Sequence, residues 1–183
     1  LIDADRKVIR NYDIASETYS LSYSLPGANL FRGQFSFTGT DFQGELRIPL
    51  DISYSDSLAR LTIYLHDERS DVIGVVNSIK LEGGNDILDN QGPNITFETQ
   101  NGQRLEKNDH LMEDENLVIR ISDPIGINLT NEIGHEITLT DLDNQSIYNK
   151  TNQFFYDENS IETGTILFNA PNKKINIKIR AWD

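Results

Sequence analysis

Apolar side chains return at every second position through most of this chain, and helical spacing is nearly absent, which confines it to folds built from strands. The clearest stretch runs from Leu117 to Leu142. Leu117, Ile119 and Ile121 alternate with Val118, Arg120 and Ser122, the pattern of a strand with one buried face. Asp123-Pro124 stops it, because proline offers no N–H to a ladder and presets a turn. Gly126, Asn128, Asn131 and Gly134 follow, residue types that tolerate positive φ or bond their own backbone. His135 opens a second alternation, with Ile137 and Leu139 interleaved with Thr138 and Thr140. The stretch reads strand, long loop, strand. Four apolar loop residues, Ile125, Ile127, Leu129 and Ile133, predict a loop tied down by burial.

The same period marks the rest of the chain. Strands are predicted over 19–25, 35–37, 42–52, 60–66 and 72–81, separated by turns at Pro26-Gly27, Gly39 and the charged run Asp67 to Asp71. Pro49 makes the 42–52 run an edge strand or a bulge, since a central strand would lose a hydrogen bond there. Later alternations start at Ile95 and Phe97, cover 165–168, and run from Lys174 to Asp183, with Ile175, Ile177 and Ile179 on one face. Asn101-Gly102 and Asp143-Asn144-Gln145 are turns, and Leu105, Leu111 and Met112 are the expected anchors of a polar stretch. Trp182 falls on the polar register, suited to covering a loop or a domain joint. Strands about 10–14 residues apart with polar turns argue for sandwiches.

Glycine, proline and short polar residues cluster from Glu82 through Asp86 to Pro93, the natural place for a linker. The expected organisation is all-β, with two consecutive immunoglobulin-like β-sandwich modules over 1–85 and 92–183, the first lacking strands supplied upstream. The start, Leu1-Ile2-Asp3, has neither a methionine nor a signal-peptide layout and looks like a strand end entering a turn at Asp3-Ala4-Asp5. We expect a piece of a longer protein.

The formal charge of −13, from 29 acidic and 16 basic residues, repels phosphate backbones and argues against nucleic acid. Calcium, basic partners or simple solubility all fit such a charge. The chain has no cysteine, hence neither disulfides nor thiolate chemistry. No apolar run approaches the roughly 18–20 residues of a membrane helix.

An ordered set of short motifs resembles one family. Asp89-x-x-Gly92-Pro93-x-Ile95, Gly126-Ile127-Asn128, Ile133-Gly134-His135-x-Ile137, Leu142-Asp143, Phe155-Tyr156, Gly164-x-Ile166 and Ala181-Trp182-Asp183 occur in that order. They resemble the region that follows the catalytic domain in PorU-like sortases of the type IX secretion system, within the gingipain-like cysteine peptidases of Bacteroidota. In the first half, Leu30-Phe31-Arg32-Gly33, Ile48-Pro49-x-Asp51-Ile52-x-Tyr54, and Gly74 with Gly83-Gly84 resemble that family's preceding segments. Three positions depart from the pattern. Asp123-Pro124-Ile125 stands where an acidic residue and a serine are usual, Glu136 where aspartate is, and Asn144 where glycine is. The family's catalytic histidine and cysteine lie upstream and match no position here.

The resemblance implies a non-catalytic scaffold inside an exported, outer-membrane-attached cysteine peptidase. Its parent would remove sorting signals from exported proteins and link them to surface lipopolysaccharide. The implied partners are the upstream peptidase domain of the same chain and outer-membrane secretion proteins. A free-standing surface adhesin or glycan-binding module is the competing reading.

Individual residues carry little chemistry. His135-Glu136 opens like a zinc-protease motif, but Leu139 occupies the place of the second histidine and the context is a strand, so a structural hydrogen-bonding role is expected. His66 and His110 stand alone. Asp141-x-Asp143-Asn144 fails as an EF-hand loop because Ser146 and Asn152 replace the required glycine and glutamate. Asp123 or Asp141 at a sandwich edge, and Asp86 or Asp89 at the joint, are the remaining calcium candidates, against a default of solvated turn acids. Asn94, Asn128, Asn144 and Asn149 fit glycosylation sequons, which a bacterial protein would leave unused. Tyr12, Tyr19, Tyr23 and Tyr54 suit cross-strand packing more than sugar stacking. No catalytic, cofactor-binding or metal-binding residue is assigned, and folding without metal is the expectation.

Overall fold

The structure is a computed structural model that describes residues 1–41, 43–50, 52, 57–84, 89–112, 114–171 and 174–183. It is all-β, with several antiparallel sheets and no α-helix among the described residues. The chain forms two compact units, Leu1–Leu30 with Ile52–Gly84, and Phe31–Asp51 with Asn85–Asp183. The expected contiguous modules, 1–85 and 92–183, differ from these units in the segment 31–51, which clusters with the second.

The first unit holds two hairpins. Strands β1 (Arg6–Ile14) and β2 (Glu17–Leu25) pair in full register, and β3 (Ala59–His66) pairs with β4 (Asp71–Ile79) through a bulge near Leu61. Ala15 and Ser16 close the first hairpin with φ of 50° and 73°, the positive angles that a two-residue turn matching strand twist demands. Asp67 closes the second, its Oδ1 accepting the Arg69 and Ser70 N–H groups at 2.7 Å each. The residues expected as a turn, Asp3-Ala4-Asp5, instead belong to a short stretch that bridges both hairpins. Ile2 exchanges two 2.9 Å backbone bonds with Arg60, and Asp3 donates to the Ala28 carbonyl at 2.8 Å. A Cβ on Gly27 would run into the Asp3 carbonyl, so only glycine lets the two segments close. Asp3, Ala4, Leu30 and Ala59 are buried there, whereas Ile9, Ile14, Leu21, Val72 and Ile73 are exposed.

The second unit holds strands β5 (Asn94–Glu98), β6 (Arg104–Leu105), β7 (Leu117–Ser122), β8 (Thr138–Asp141), β9 (Ser146–Asn149), β10 (Phe155–Tyr156), β11 (Thr163–Phe168) and β12 (Ile177–Arg180). One sheet has the order β10-β11-β7-β5-β6 and the other β12-β8-β9. Ile119, Ile121 and Ile166 from the first sheet and Leu139 from the second are fully buried, as is Ile137 just before β8. Val118 is buried as well, so β7 has more than the single buried face that its alternation predicts. On that side Arg120 is clamped by Glu98, at 3.0 and 3.1 Å, and by Asp157. A 3-10 turn at Thr151–Gln153 fastens the start of β8, where the Ile137 N–H donates to Thr151 Oγ1 at 2.9 Å.

Two predicted strands are not formed. Residues 31–37 and the described part of 42–52 are irregular chain. Phe31 and Phe35 serve packing instead of a ladder, while Phe37 is exposed. Phe31 stacks on Tyr156 at 4.7 Å and on Phe35 at 5.9 Å, while the Arg32 carbonyl accepts the Tyr156 N–H at 3.0 Å.

Tyr156 links this segment to the long loop between β7 and β8. Its hydroxyl accepts the Ile127 N–H at 2.6 Å and lies 3.3 Å from the Ile127 carbonyl. Burial above all, with the Asp123 charge adding to it, pushes the phenol up to about 12. An unfolded tyrosine ionises near pH 10. The contribution of the neutral phenol is therefore complete below about pH 10 and lost as pH climbs toward the folded value. Tyr156→Phe should cost about 1–3 kcal/mol at neutral pH by leaving the buried Ile127 N–H unpaired. In denaturant melts between about pH 9 and 12, the gap between wild type and variant should narrow as the wild type alone loses this term. A gap independent of pH would show that the phenol does not titrate late.

Candidate functional site

Three carboxylates far apart in sequence meet in the second unit. Asp123 lies one residue past β7, where its N–H donates to the Glu162 carbonyl at 2.9 Å and so continues the β7–β11 register. Its Oδ1 accepts the Ile125 N–H at 2.8 Å and its carbonyl accepts the Gly126 N–H at 3.1 Å. Gly126 completes this turn at φ +95°, a conformation that suits glycine. Asp89 Oδ1 accepts the Gln91 N–H at 2.9 Å in the segment leading to β5. Asp183 follows Trp182, whose carbonyl accepts the Asn128 N–H at 2.8 Å, so the loop between β7 and β8 holds the chain next to Asp183 as well as Asp123.

One carboxylate oxygen each from Asp89, Asp123 and Asp183 lies within 4.8 Å of the other two. A cleft of about 370 Å³ holds Asp89 and Asp123 together with Asn94, Ser122, Glu162 and Thr163. Asp123 is only 2% exposed, Asp89 is half-buried and Asp183 is exposed. Burial raises the Asp123 pKa above the usual carboxylate range, and the negative charges of Asp183, Asp89 and Glu162 raise it further, against the Ile125 hydrogen bond. None of the ion pairs among the described residues brings a lysine or arginine to these three carboxylates. The donor set is all oxygen, which suits a hard cation and excludes a site of zinc–thiolate type.

No family model and no curated protein matches the chain. A solved structure similar to it is dimeric latent PorU from Porphyromonas gingivalis, with 19% identity and a TM-score of 0.34 over 99% of this chain. The chain spans 19% of that protein's length.

The other sequence candidates lie apart from the carboxylate site. His135 sits against the Trp182 ring at 5.3 Å, half-buried, and His66 stacks on Tyr64 in the first unit at 5.7 Å. His110 is exposed. Asp141 caps the β8–β9 turn, its Oδ1 accepting the Asp143 and Asn144 N–H groups at 2.9 and 3.2 Å, as a turn acid does. Asn128 is buried with its Oδ1 bonded to Thr130, so its sequon is closed to modification in the folded state. Asn94, Asn144 and Asn149 are exposed. Tyr12 and Tyr19 face each other across β1 and β2, the cross-strand pairing expected of them, and Tyr23 pairs with Val8. Asp86 and Tyr54 lie outside the described residues. Sequence reasoning missed Asp183. The available signal was its place in the Ala181-Trp182-Asp183 motif, the last of the ordered set.

Proposed function

We propose that this chain is a non-catalytic scaffold of immunoglobulin-like modules within a PorU-like, cell-surface cysteine peptidase of the type IX secretion pathway. It spaces or orients the upstream catalytic domain against the outer membrane and its partner proteins. The observation that carries this reading is the ordered motif set together with where those residues fall. Ile127, Asn128, Ile137, Tyr156 and Ile166 are all buried, and Gly164 sits where a Cβ would strike the Phe155 carbonyl. Motif residues of this kind hold a fold together instead of reacting with a substrate. The chain also lacks the cysteine that a peptidase of this family uses. In the first unit, the apolar residues left exposed on β1, β2 and β4 suit a surface that a larger protein covers.

The purified chain should turn over no peptide substrate, yet bind a separately produced peptidase domain of its parent. Turnover abolished by substituting one of the chain's own residues would overturn the non-catalytic reading. The exposed pair Tyr12 and Tyr19 favours the adhesin reading specifically. Glycan binding lost in Tyr12→Ala and Tyr19→Ala, with no binding to the peptidase domain, would establish that reading in place of ours.

A further inference from the structure

We infer that the free edge of β12 docks an extended segment of a partner protein, one that carries carboxylates at alternate positions and adds to the β12-β8-β9 sheet as its next strand. The first observation is the hydrogen bonding of that edge. The Leu142 N–H donates to the Asn176 carbonyl at 2.8 Å, and in an antiparallel ladder such bonded pairs recur at every second residue. Lys178 and Arg180, opposite Thr140 and Thr138, therefore turn their backbone groups toward β8. Those of Ile177 and Ile179 turn the other way. There no strand pairs with β12 among the described residues, and no loop backbone bonds to them. Such a row of unpaired N–H and C=O groups is a template for another strand.

The second observation is the charge beside that edge. Lys178 and Arg180 lie on the sheet face opposite the buried Leu139, about 7 Å apart along the strand. Neither enters an ion pair or a side-chain hydrogen bond among the described residues, although acids outnumber bases 29 to 16 in this chain. Both border a trough of about 520 Å³ that also holds Ile147 and the hydroxyls of Thr138 and Thr140, which are likewise unbonded. The acid of this trough, Glu136, is turned to the loop, where its Oε2 accepts the Gly134 N–H at 2.9 Å.

Together the edge and the charges define the partner's chemistry. A strand added here places every second side chain on the trough face, beside Lys178 and Arg180. The side chains between them fall on the core side, beside the half-buried Ile177 and Ile179. Carboxylates suit the first set and apolar side chains the second. Lysine on an edge strand ordinarily guards against indiscriminate pairing. Here the same charges exclude basic strands and admit acidic ones. The edge lies in the second unit, whereas the exposed apolar residues of β1, β2 and β4 lie in the first, so the two contacts hold or fail separately.

A fluorescein-labelled peptide alternating glutamate and valine should bind the 183-residue chain, its anisotropy rising on titration and its affinity falling with added salt. The lysine–valine counterpart should not bind. A peptide with the same glutamates and valines in two blocks should bind at least about tenfold more weakly. Lys178→Glu and Arg180→Glu together should exchange the preference, weakening the glutamate peptide at least about tenfold and admitting the lysine peptide. Ile179→Pro takes an N–H from the free edge and none from the β8 ladder, and should abolish binding. The charge reversal, at two exposed positions, serves if the proline variant does not fold. Wild-type protein that ignores the glutamate peptide, equal binding of the alternating and block peptides, or indifference to the charge reversal would overturn the inference. So would polygalacturonate bound in place of the peptide, which would make the occupant an acidic glycan, or self-association relieved by the charge reversal, which would make it a second copy.

Discussion

Phe154→Ala is expected to remove about 3–5 kcal/mol of stability, the range for deleting a fully enclosed aromatic ring. Phe154 has no exposed surface, and it follows directly on the 3-10 turn that fastens β8. Its ring meets Tyr156 edge-on at 5.1 Å, an arrangement that aromatic quadrupoles favour. On another side it lies over Gly164 of β11, so close that a Cβ there would strike Cζ of the ring. Glycine in the middle of a strand weakens it, and here it makes room for the ring. Gly164→Ala should therefore destabilise as well, by overpacking. The double variant should not recover, because the added Cβ would still collide with the Phe155 carbonyl, which the ring deletion leaves in place. Urea melts of the three variants test this. A loss below about 1 kcal/mol for Phe154→Ala would mean that the site collapses around the missing ring.

Much of the strand structure was legible, in β5, β7 and β11 because burial on one side of a sheet leaves period two in the sequence. Strands β2, β3, β4, β5, β7 and β11 coincide with alternations, and Gly102, Gly126, Gly134 and Asn131 adopt the positive φ their residue types suggested. Strand β1 was missed because its apolar residues Val8, Ile9, Tyr12 and Ile14 fall at no constant spacing. Phe35, Phe37 and Ile48 misled in the opposite direction. They alternate, but in chain that forms no ladder among the described residues: Phe35 packs through Phe31 onto Tyr156, and Phe37 and Ile48 are left exposed. Met112, expected as an anchor, is 77% exposed, while Leu105 and Leu111 are half-buried. The candidate site was legible only in parts. Carboxylates in three separate segments leave no local spacing to detect, and only the folded placement of β5, β7 and β12 brings them together.

Ile127→Ala should cost about 2–5 kcal/mol, a core penalty from a residue that the sequence places in a loop. A solvated loop would lose almost nothing, and the neighbouring residues supply the contrast. Ile127 is 2% exposed and Leu129 1%, whereas Ile133 is 96% exposed and was wrongly expected to help hold the loop down. The difference lies in the backbone anchors. The Ile127 N–H is taken by the Tyr156 hydroxyl and the Asn128 N–H by the Trp182 carbonyl, while the Asn128 side chain turns back onto Thr130. Those bonds point Ile127 and Leu129 inward. Beyond them Asn131 and Gly134, at φ of +60° and +93°, carry the chain outward again, and Ile133 sits on the crest between them. Ile133→Ala should accordingly stay within about 0.5 kcal/mol of wild type, as surface changes do. Denaturant melts of both variants decide the matter. Equal, small shifts would show that the loop is not anchored, and equal, large shifts would show that Ile133 is covered in solution by something that binds there.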